Sequence, residues 1–322
     1  MTGTEHQSAA VLADIGGTNA RFALLRAEGT SEVLNLNVCD HKTAYDALAA
    51  ALDRFGVQAT PQHAVLAFAG PVSPERALMT NTAWETSASD LRQRFGFHHV
   101  KLMNDYAALA LGLIQLTAKD RRSIGPELGG TEGPLAVVGP GSGLGVAALL
   151  PADPHPIPLV GEGGHATMAA ADDHESELIA VIRGRLGHIS AERLLSGPGL
   201  SNIHQALAAL EDSRAETITP AEISSRGVDG SDPLCHRTLE MFCNLLGSFA
   251  GSIALCYGAR GGVYLGGGIL PRFPEILAAS QFRDRFESKG RLQSYLSTIP
   301  TWLITRPNAA FAGLAAAARQ LG

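Results

Sequence analysis

The segment Val11-Leu12-Ala13-Asp14-Ile15-Gly16-Gly17-Thr18-Asn19-Ala20-Arg21-Phe22-Ala23-Leu24-Leu25 holds two apolar runs separated by an acidic glycine turn. Two strand-like runs joined by Gly-Gly and small polar residues predict a β-hairpin, with the glycines supplying backbone angles that a side chain would forbid. The chemistry of the turn suits a nucleotide. The N–H groups and hydroxyl that follow the strand, over Gly16, Gly17, Thr18 and Asn19, would cradle phosphate oxygens, while Asp14 would face a magnesium ion. An ordinary hairpin in which Asp14 bonds its own turn would use the same residues.

The pattern returns further along the chain. Leu135-Ala136-Val137-Val138 reads as a strand, Gly139-Pro140-Gly141-Ser142-Gly143-Leu144-Gly145 as a glycine loop, and Val146 to Leu150 as another strand. The loop is not a dinucleotide fingerprint, because Gly139 and Gly141 would require glycine at 144, where Leu stands, and the following run is strand-like. No lysine follows for a P-loop. Ser142 has Pro140 and Leu144 two residues to either side, which excludes the hydrolase nucleophile elbow. Two glycine hairpins, one in each half, predict duplicated halves gripping one phosphate tail. A third turn, Gly266-Gly267-Gly268-Ile269, lies between a strand at 262–265 and a helix near 274–279, an arrangement suited to an anion or a nucleotide edge.

Other polar groups stand where chain segments meet. Asn104-Asp105 falls between a short strand, 100–103, and a helical run from Tyr106 to Leu113. That is the carboxyl end of a strand beside the amino end of a helix, where open parallel sheets bind ligands, although Asn and Asp are also common helix caps. Gly161-Glu162-Gly163-Gly164-His165 places a carboxylate and an imidazole three apart. The two glycines between them argue against a helical metal pair and for a loop facing a hydroxyl-rich ligand, or a plain turn. Glu192 near a helix start would complement the helix dipole. Asn81 in Met79-Thr80-Asn81 would form a turn or touch a polar ligand.

The remaining pattern supplies a frame. Strands are expected at 33–38, 63–69 and 302–304, and helices at 44–55, 87–95, 175–186 and 191–195. Ser196-Gly197-Pro198-Gly199 is read as ending the last of these, before another at 200–210. A long apolar helix is expected over 235–257, and an alanine-rich one over 308–321 that returns to the first domain. Residues 121–134 read as a surface connector.

At 322 residues the chain fits two domains, and 45% apolar with 17% charged residues is the composition of a globular protein with a good core. A net charge of -6 without a basic stripe predicts no nucleic-acid partner. Met1 to Gln7 is polar, without a signal core, and no uninterrupted apolar run of span length is read, so a cytoplasmic protein with no membrane partner is expected. Cys39, Cys235, Cys243 and Cys256 are scattered, without a Cys-x-x-Cys pair, and suit neither a zinc ribbon nor a disulfide framework.

Taken together, Ala13 to Arg21, Met79 to Asn81, Asn104-Asp105, Gly139 to Gly145, Gly161 to His165, Ser190 to Arg193, Leu195 to Leu200 and Gly266 to Ile269 resemble, in order, the motifs of bacterial glucokinase. This is the ATP-dependent family of the actin-like, sugar kinase and heat-shock ATPase superfamily. The resemblance implies an α/β protein of two domains with a ribonuclease H-like fold and an interdomain cleft: a small domain, 7–115 plus 306–322, and a large one, 116–305. It makes Asp105 the general base for the 6-hydroxyl of glucose, and Asn104, Glu162, His165 and Glu192 the groups that hold the other hydroxyls. Asp14, Gly16, Gly17, Thr18, Asn19, Gly139, Gly141, Ser142 and Gly143 would surround ATP phosphates and Mg2+, Asp14 reaching the metal through water, with Gly266, Gly267 and Gly268 nearer the nucleoside. A homodimer is implied. Tyr106, where the family often has Phe, and Val160, where it often has Pro, depart from the pattern without removing a functional group. The zinc-binding cysteine cluster of the related repressor and kinase family is absent, so no structural zinc is expected.

These residue types suit the reaction. Each sugar hydroxyl is both donor and acceptor, so orientation needs carboxylates, amides and imidazole together. The 6-hydroxyl is a poor nucleophile that a carboxylate can deprotonate as the bond to phosphorus forms. A kinase for another hexose, mannose or fructose, would use the same site. A sugar-responsive regulator without chemistry would not need Asp105.

Overall fold

The computed structural model describes residues 9–57, 59–79, 82, 84–213 and 216–321. Thr80 and Asn81 of the 79–81 motif lie outside the described residues, as do residues 7, 8 and 322 at the expected ends of the small domain. The chain is mixed α/β and divides into two compact units: one takes the described residues up to Leu116, 156–160 and those from Arg306 on, the other 117–155 and 161–305.

In the first unit, β1 (Ala10–Ile15), β2 (Asn19–Arg26), β3 (Gly29–Thr30), β4 (Leu34–Asn37), β5 (His63–Phe68) and β8 (His99–Asn104) form one sheet, and β6 (Arg76–Leu78) pairs with β7 (Glu85–Ser87) in a small hairpin. The path is β3-β2-β1-β5-β8, with β4 also on β2. β1 and β2 are antiparallel, whereas β1, β5 and β8 run parallel. α1 (Ala44–Arg54) starts at a Thr43 cap, and α2 (Ala88–Phe95) at a Ser87 cap before stopping at Gly96, whose φ is +76°. α3 (Asp105–Gly112) follows β8 without a linker. Val11, Phe22, Leu24, Leu48, Leu66 and Phe68 are fully buried among these elements, each side chain contributing about 1.5–3 kcal/mol by leaving water.

The second unit repeats the order. β9 (Arg121–Ser123), β10 (Leu135–Pro140), β11 (Leu144–Leu150), β13 (Gly262–Leu265) and β14 (Thr301–Ile304) lie as β11-β10-β13-β14-β9, while β12 (Ile157–Gly161) straddles the division between the units. Again the first hairpin, β10–β11, is antiparallel and β10, β13 and β14 are parallel. Its helices are α4 (Asp173–Leu186), α5 (Gly197–Leu210), α6 (Pro220–Asp229), α7 (Pro233–Tyr257) and the short α8 (Pro274–Ala279), α9 (Phe282–Glu287) and α10 (Gln293–Leu296). The last helix, α11 (Ala310–Arg319), packs on α3 in the first unit. Glycines permit that crossing: a Cβ on Gly313 would strike the Ala108 carbonyl, and one on Gly112 would lie 2.8 Å from the Ala309 carbonyl.

Several local expectations are corrected. α7 is long and apolar enough to cross a membrane by length and composition, contrary to the reading of no such run, but most of it is buried as the core helix of the second unit. Small residues explain this: a Cβ on Gly247 or Gly251 would run into the carbonyls of Phe282 or Phe286 of α9. Residues 121–123 are an edge strand rather than connector, because Arg121 stacks over the Trp302 ring at 3.9 Å and donates to the Tyr264 hydroxyl at 2.6 Å. Ser196 does not help end a helix; its hydroxyl accepts from Gly199 N–H at 3.1 Å and starts α5, with Pro198 in the first turn.

Candidate active site

In the first unit, Asp14 stands at the carboxyl end of β1, opposite Arg21 in the hairpin, and the Arg21 guanidinium reaches it at 3.4 Å. Burial pushes the carboxyl of Asp14 above the ordinary carboxylate range, and Arg21 offsets only part of that. The turn closes by Gly16 N–H donating to the Asn19 carbonyl at 2.9 Å. Neither Gly16 nor Gly17 has a positive φ, and a Cβ on Gly16 would make only ordinary contact, 3.6 Å, with that carbonyl. The expectation that backbone angle requires glycine is therefore not met at Gly16.

Parallel register carries the same edge across the sheet. Ile15 pairs with Phe68, and Phe68 with Asn104, so Asp14 and Asn104-Asp105 emerge at the same end, two strands apart; at ~4.8 Å per strand this separates the strand axes by roughly 10 Å. Asn104 is the cap of α3: its Oδ1 accepts from Tyr106 N–H at 2.9 Å and Ala107 N–H at 3.3 Å, and its Nδ2 donates to the Gly70 carbonyl at 3.4 Å. Asp105, the first residue of α3, accepts from Tyr106 N–H at 3.0 Å. The pair thus divides its labour. Asn104 holds the helix end, which leaves the carboxylate of Asp105 at the amino end of α3, the place where negative charge is favoured.

In the second unit, the loop between β10 and β11 is braced on several sides. Gly141 N–H donates to the Gly143 carbonyl, and Gly197 N–H at the start of α5 donates to the Gly141 carbonyl, both at 2.8 Å. Gly267, with φ +80°, passes so close to the strand end that a Cβ would strike the Pro140 carbonyl, and Gly266 N–H donates to the Val138 carbonyl. The loop 139–143 and the turn 266–268 therefore share one edge, beside the amino end of a 14-residue helix, a setting that favours an anion. A hollow of about 360 Å³ opens there, lined by Gly141, Ser142, Gly197 and Gly268 together with Pro220 and Arg272. Pro220 and Arg272 carry no motif and are invisible until the helices are placed.

The residues of this unit expected to hold the sugar lie on two adjoining segments. Glu162 precedes a single 3-10 turn, Gly163–His165, and the His165 Nε2 and Glu162 Oε2 lie 4.0 Å apart, both exposed. Gly164 is indispensable because a Cβ would overlap the Leu144 carbonyl. Ala191 N–H donates to the Ala166 carbonyl at 2.9 Å and Thr167 bridges Ser190, which draws the two segments together. Glu192 lies in a 3-10 turn, Ala191–Arg193, not in the helix expected over 191–195. Its carboxylate accepts from Leu144 N–H at 2.9 Å, and a Cβ on Gly143 would sit 2.6 Å from it. The tie from Glu192 to the glycine loop leaves no mark in sequence, since 48 residues separate the partners.

Two α/β units built on the same strand order, each opened by a glycine hairpin, give a mixed α/β fold that sugar kinases share. Sequence comparison narrows this. The family model for glucokinase matches residues 11–321. A glucokinase of Nitrobacter hamburgensis is 45% identical over 95% of this chain and 95% of its own, and one of Chromobacterium violaceum is 44% identical over 95% and 88%. The crystal structure of a glucokinase from an Antarctic psychrotroph superimposes with a TM-score of 0.86 at 35% identity, covering 97% of this chain and 98% of that one. The chain belongs to the glucokinase family.

Proposed function

We propose that the protein transfers the γ-phosphoryl group of ATP to the 6-hydroxyl of D-glucose, giving glucose 6-phosphate and ADP. The observation that carries this reading is the placement of Asp105 at the start of α3, on the sheet edge that also presents Asp14, in a member of the glucokinase family. Asp105 accepts the 6-hydroxyl proton as that oxygen bonds to phosphorus and the bridging oxygen leaves with ADP. Asn104, Glu162, His165 and Glu192 orient the sugar by binding its other hydroxyls.

ATP phosphates lie on the glycine loops at 16–19 and 139–143, with the nucleoside toward 266–268 and the hollow beside Pro220. Backbone N–H groups suit this task because they are fixed before the charge develops. Asp14 fits magnesium: it is a hard oxygen donor only partly neutralised by Arg21. When bound, Mg2+ would neutralise developing charge on the phosphate oxygens. Residues 7–115 with 306–322 and residues 116–305 act as two domains whose cleft narrows around the sugar and excludes water, a competing acceptor. The family resemblance supports a cytoplasmic homodimer. The acidic net charge and the buried setting of α7 support action without nucleic acid or membrane. None of the four cysteines belongs to the 161–165 loop, so the sugar is held without zinc.

A matrix of hexoses against phosphoryl donors, read as sugar 6-phosphate released, tests the assignment. Glucose with ATP is expected to give the highest kcat/KM. A preference for mannose or fructose would move the substrate, and no turnover with any hexose would overturn the reading.

A further inference from the structure

The helical layer of the second unit contains three donor side chains that the phosphoryl-transfer reading does not use. His204 lies within α5, Asp232 immediately before α7 and Cys235 in its first turn. One ligand-capable atom from each lies within 4.8 Å of the other two. His204 and Cys235 are buried, at 2% and 0% exposure, and Nε2 of His204 is shielded from solvent without a hydrogen-bond partner. A buried imidazole nitrogen left unbonded is costly and calls for a partner. Asp232 uses one oxygen, Oδ1, to cap α7 through Leu234 and Cys235 N–H groups, which fixes the carboxylate beside the thiol. Gly227 lets α6 close over this corner, since a Cβ there would sit 2.9 Å from the Cys235 carbonyl.

We propose that His204, Asp232 and Cys235 bind one thiophilic divalent cation of the zinc class, separate from the phosphoryl-transfer residues, and that the ion ties α5 to the start of α7. Imidazole, carboxylate and thiolate are the donors such an ion prefers, and in a tetrahedron they stand roughly 3.3–3.8 Å apart, within side-chain adjustment of the arrangement present. The charges also close. One carboxylate and one thiolate neutralise a dication, whereas Asp232 without an ion faces a neutral thiol. The fourth position falls to water. A site of this kind departs from the expectation of no zinc, which was drawn from the missing cysteine cluster near the sugar-contacting histidine.

The test uses the full chain, stripped of metal by chelation and titrated with Zn2+ against a chromophoric chelator and, separately, with Co2+. Expected are one equivalent of Zn2+, a raised melting temperature, and a near-ultraviolet thiolate-to-cobalt band. Cys235→Ser and His204→Gln should each weaken Zn2+ by about a hundredfold or more, and Cys235→Ser should erase the band. Should either variant fail to fold, the Cys39→Ser/Cys243→Ala/Cys256→Ser protein decides the matter, because it leaves Cys235 as the one thiol and must retain the band. Absence of stoichiometric Zn2+, a band that survives Cys235→Ser, or one lost with the other thiols would overturn the proposal. Hexokinase assays cannot decide it, because none of the three residues belongs to the reaction, so the outcome is independent of the proposed activity.

Discussion

The two glycine hairpins occupy equivalent places in their sheets, yet they are built on opposite principles. The first, at 14–19, carries its own acid and is held by contacts within the hairpin, Arg21 on Asp14 and Gly16 on Asn19. The second, at 139–145, has no acid; it borrows Glu192 from a distant segment and is gripped by Gly197 and Gly267. Glycine means different things in the two. At Gly16 the space over the backbone is open to a ligand, whereas at Gly143 and Gly267 it is already filled by protein. An open loop with a charge suits a metal-bound phosphate, and a braced loop without one suits a fixed set of N–H donors.

The largest expected effect separates both hairpins from the chemistry. If they only bind and align, Asp105→Asn should leave a folded protein that still takes up glucose, as followed by calorimetric titration, while kcat falls at least about a hundredfold. Near-normal turnover would place the base elsewhere. Next comes a pair of substitutions that sets brace against open turn. Gly267→Ala meets the Pro140 carbonyl from a left-handed backbone and should cost about 2–3 kcal/mol in urea denaturation. Gly16→Ala should stay within about 0.5 kcal/mol in stability and instead raise KM for Mg-ATP. Equal stability losses would erase the distinction between the loops.

This contrast also explains how much the sequence disclosed. The hairpins, the 104–105 junction and the 161–165 loop are legible because each is a contiguous stretch whose residue types answer a local demand. Asn104 and Asp105 separate into cap and half-buried acid only once α3 is seen to begin at 105. The grip of Glu192 on Leu144, the contact of Gly164 with the same residue, and the entry of Arg272 and Pro220 into the hollow depend on long-range packing. Periodicity carries no trace of that. The misread segments share one cause: at 121–123 a side chain stacks across strands, and at 196–199 a serine serves the next helix, so tertiary contacts override local preference.

The borrowed acid gives the sharper, smaller prediction. If Glu192 serves both the sugar and the loop, Gly143→Ala should push its carboxylate off the Leu144 N–H and lower glucose affinity about tenfold without nucleotide present, the scale of one displaced charged hydrogen bond. Glucose binding unchanged in that variant would leave the loop and the sugar acid uncoupled.

The acid of the first hairpin makes the smallest difference, one visible only as pH changes. Burial raises the pKa of Asp14 in the folded protein, so folding favours its protonated form. The stability this provides is complete below the unfolded carboxyl value and is lost as pH rises through the folded one; at neutral pH the ionised Asp14 is therefore a net cost. Asp14→Asn should accordingly raise the melting temperature at pH 7 while impairing Mg-ATP use, and the gain should shrink as the buffer is taken down through the acidic range. Thermal melts at several pH values measure it. A difference that stayed constant with pH would mean that Arg21 fully neutralises Asp14, and the first hairpin would then be as self-contained as the second is braced.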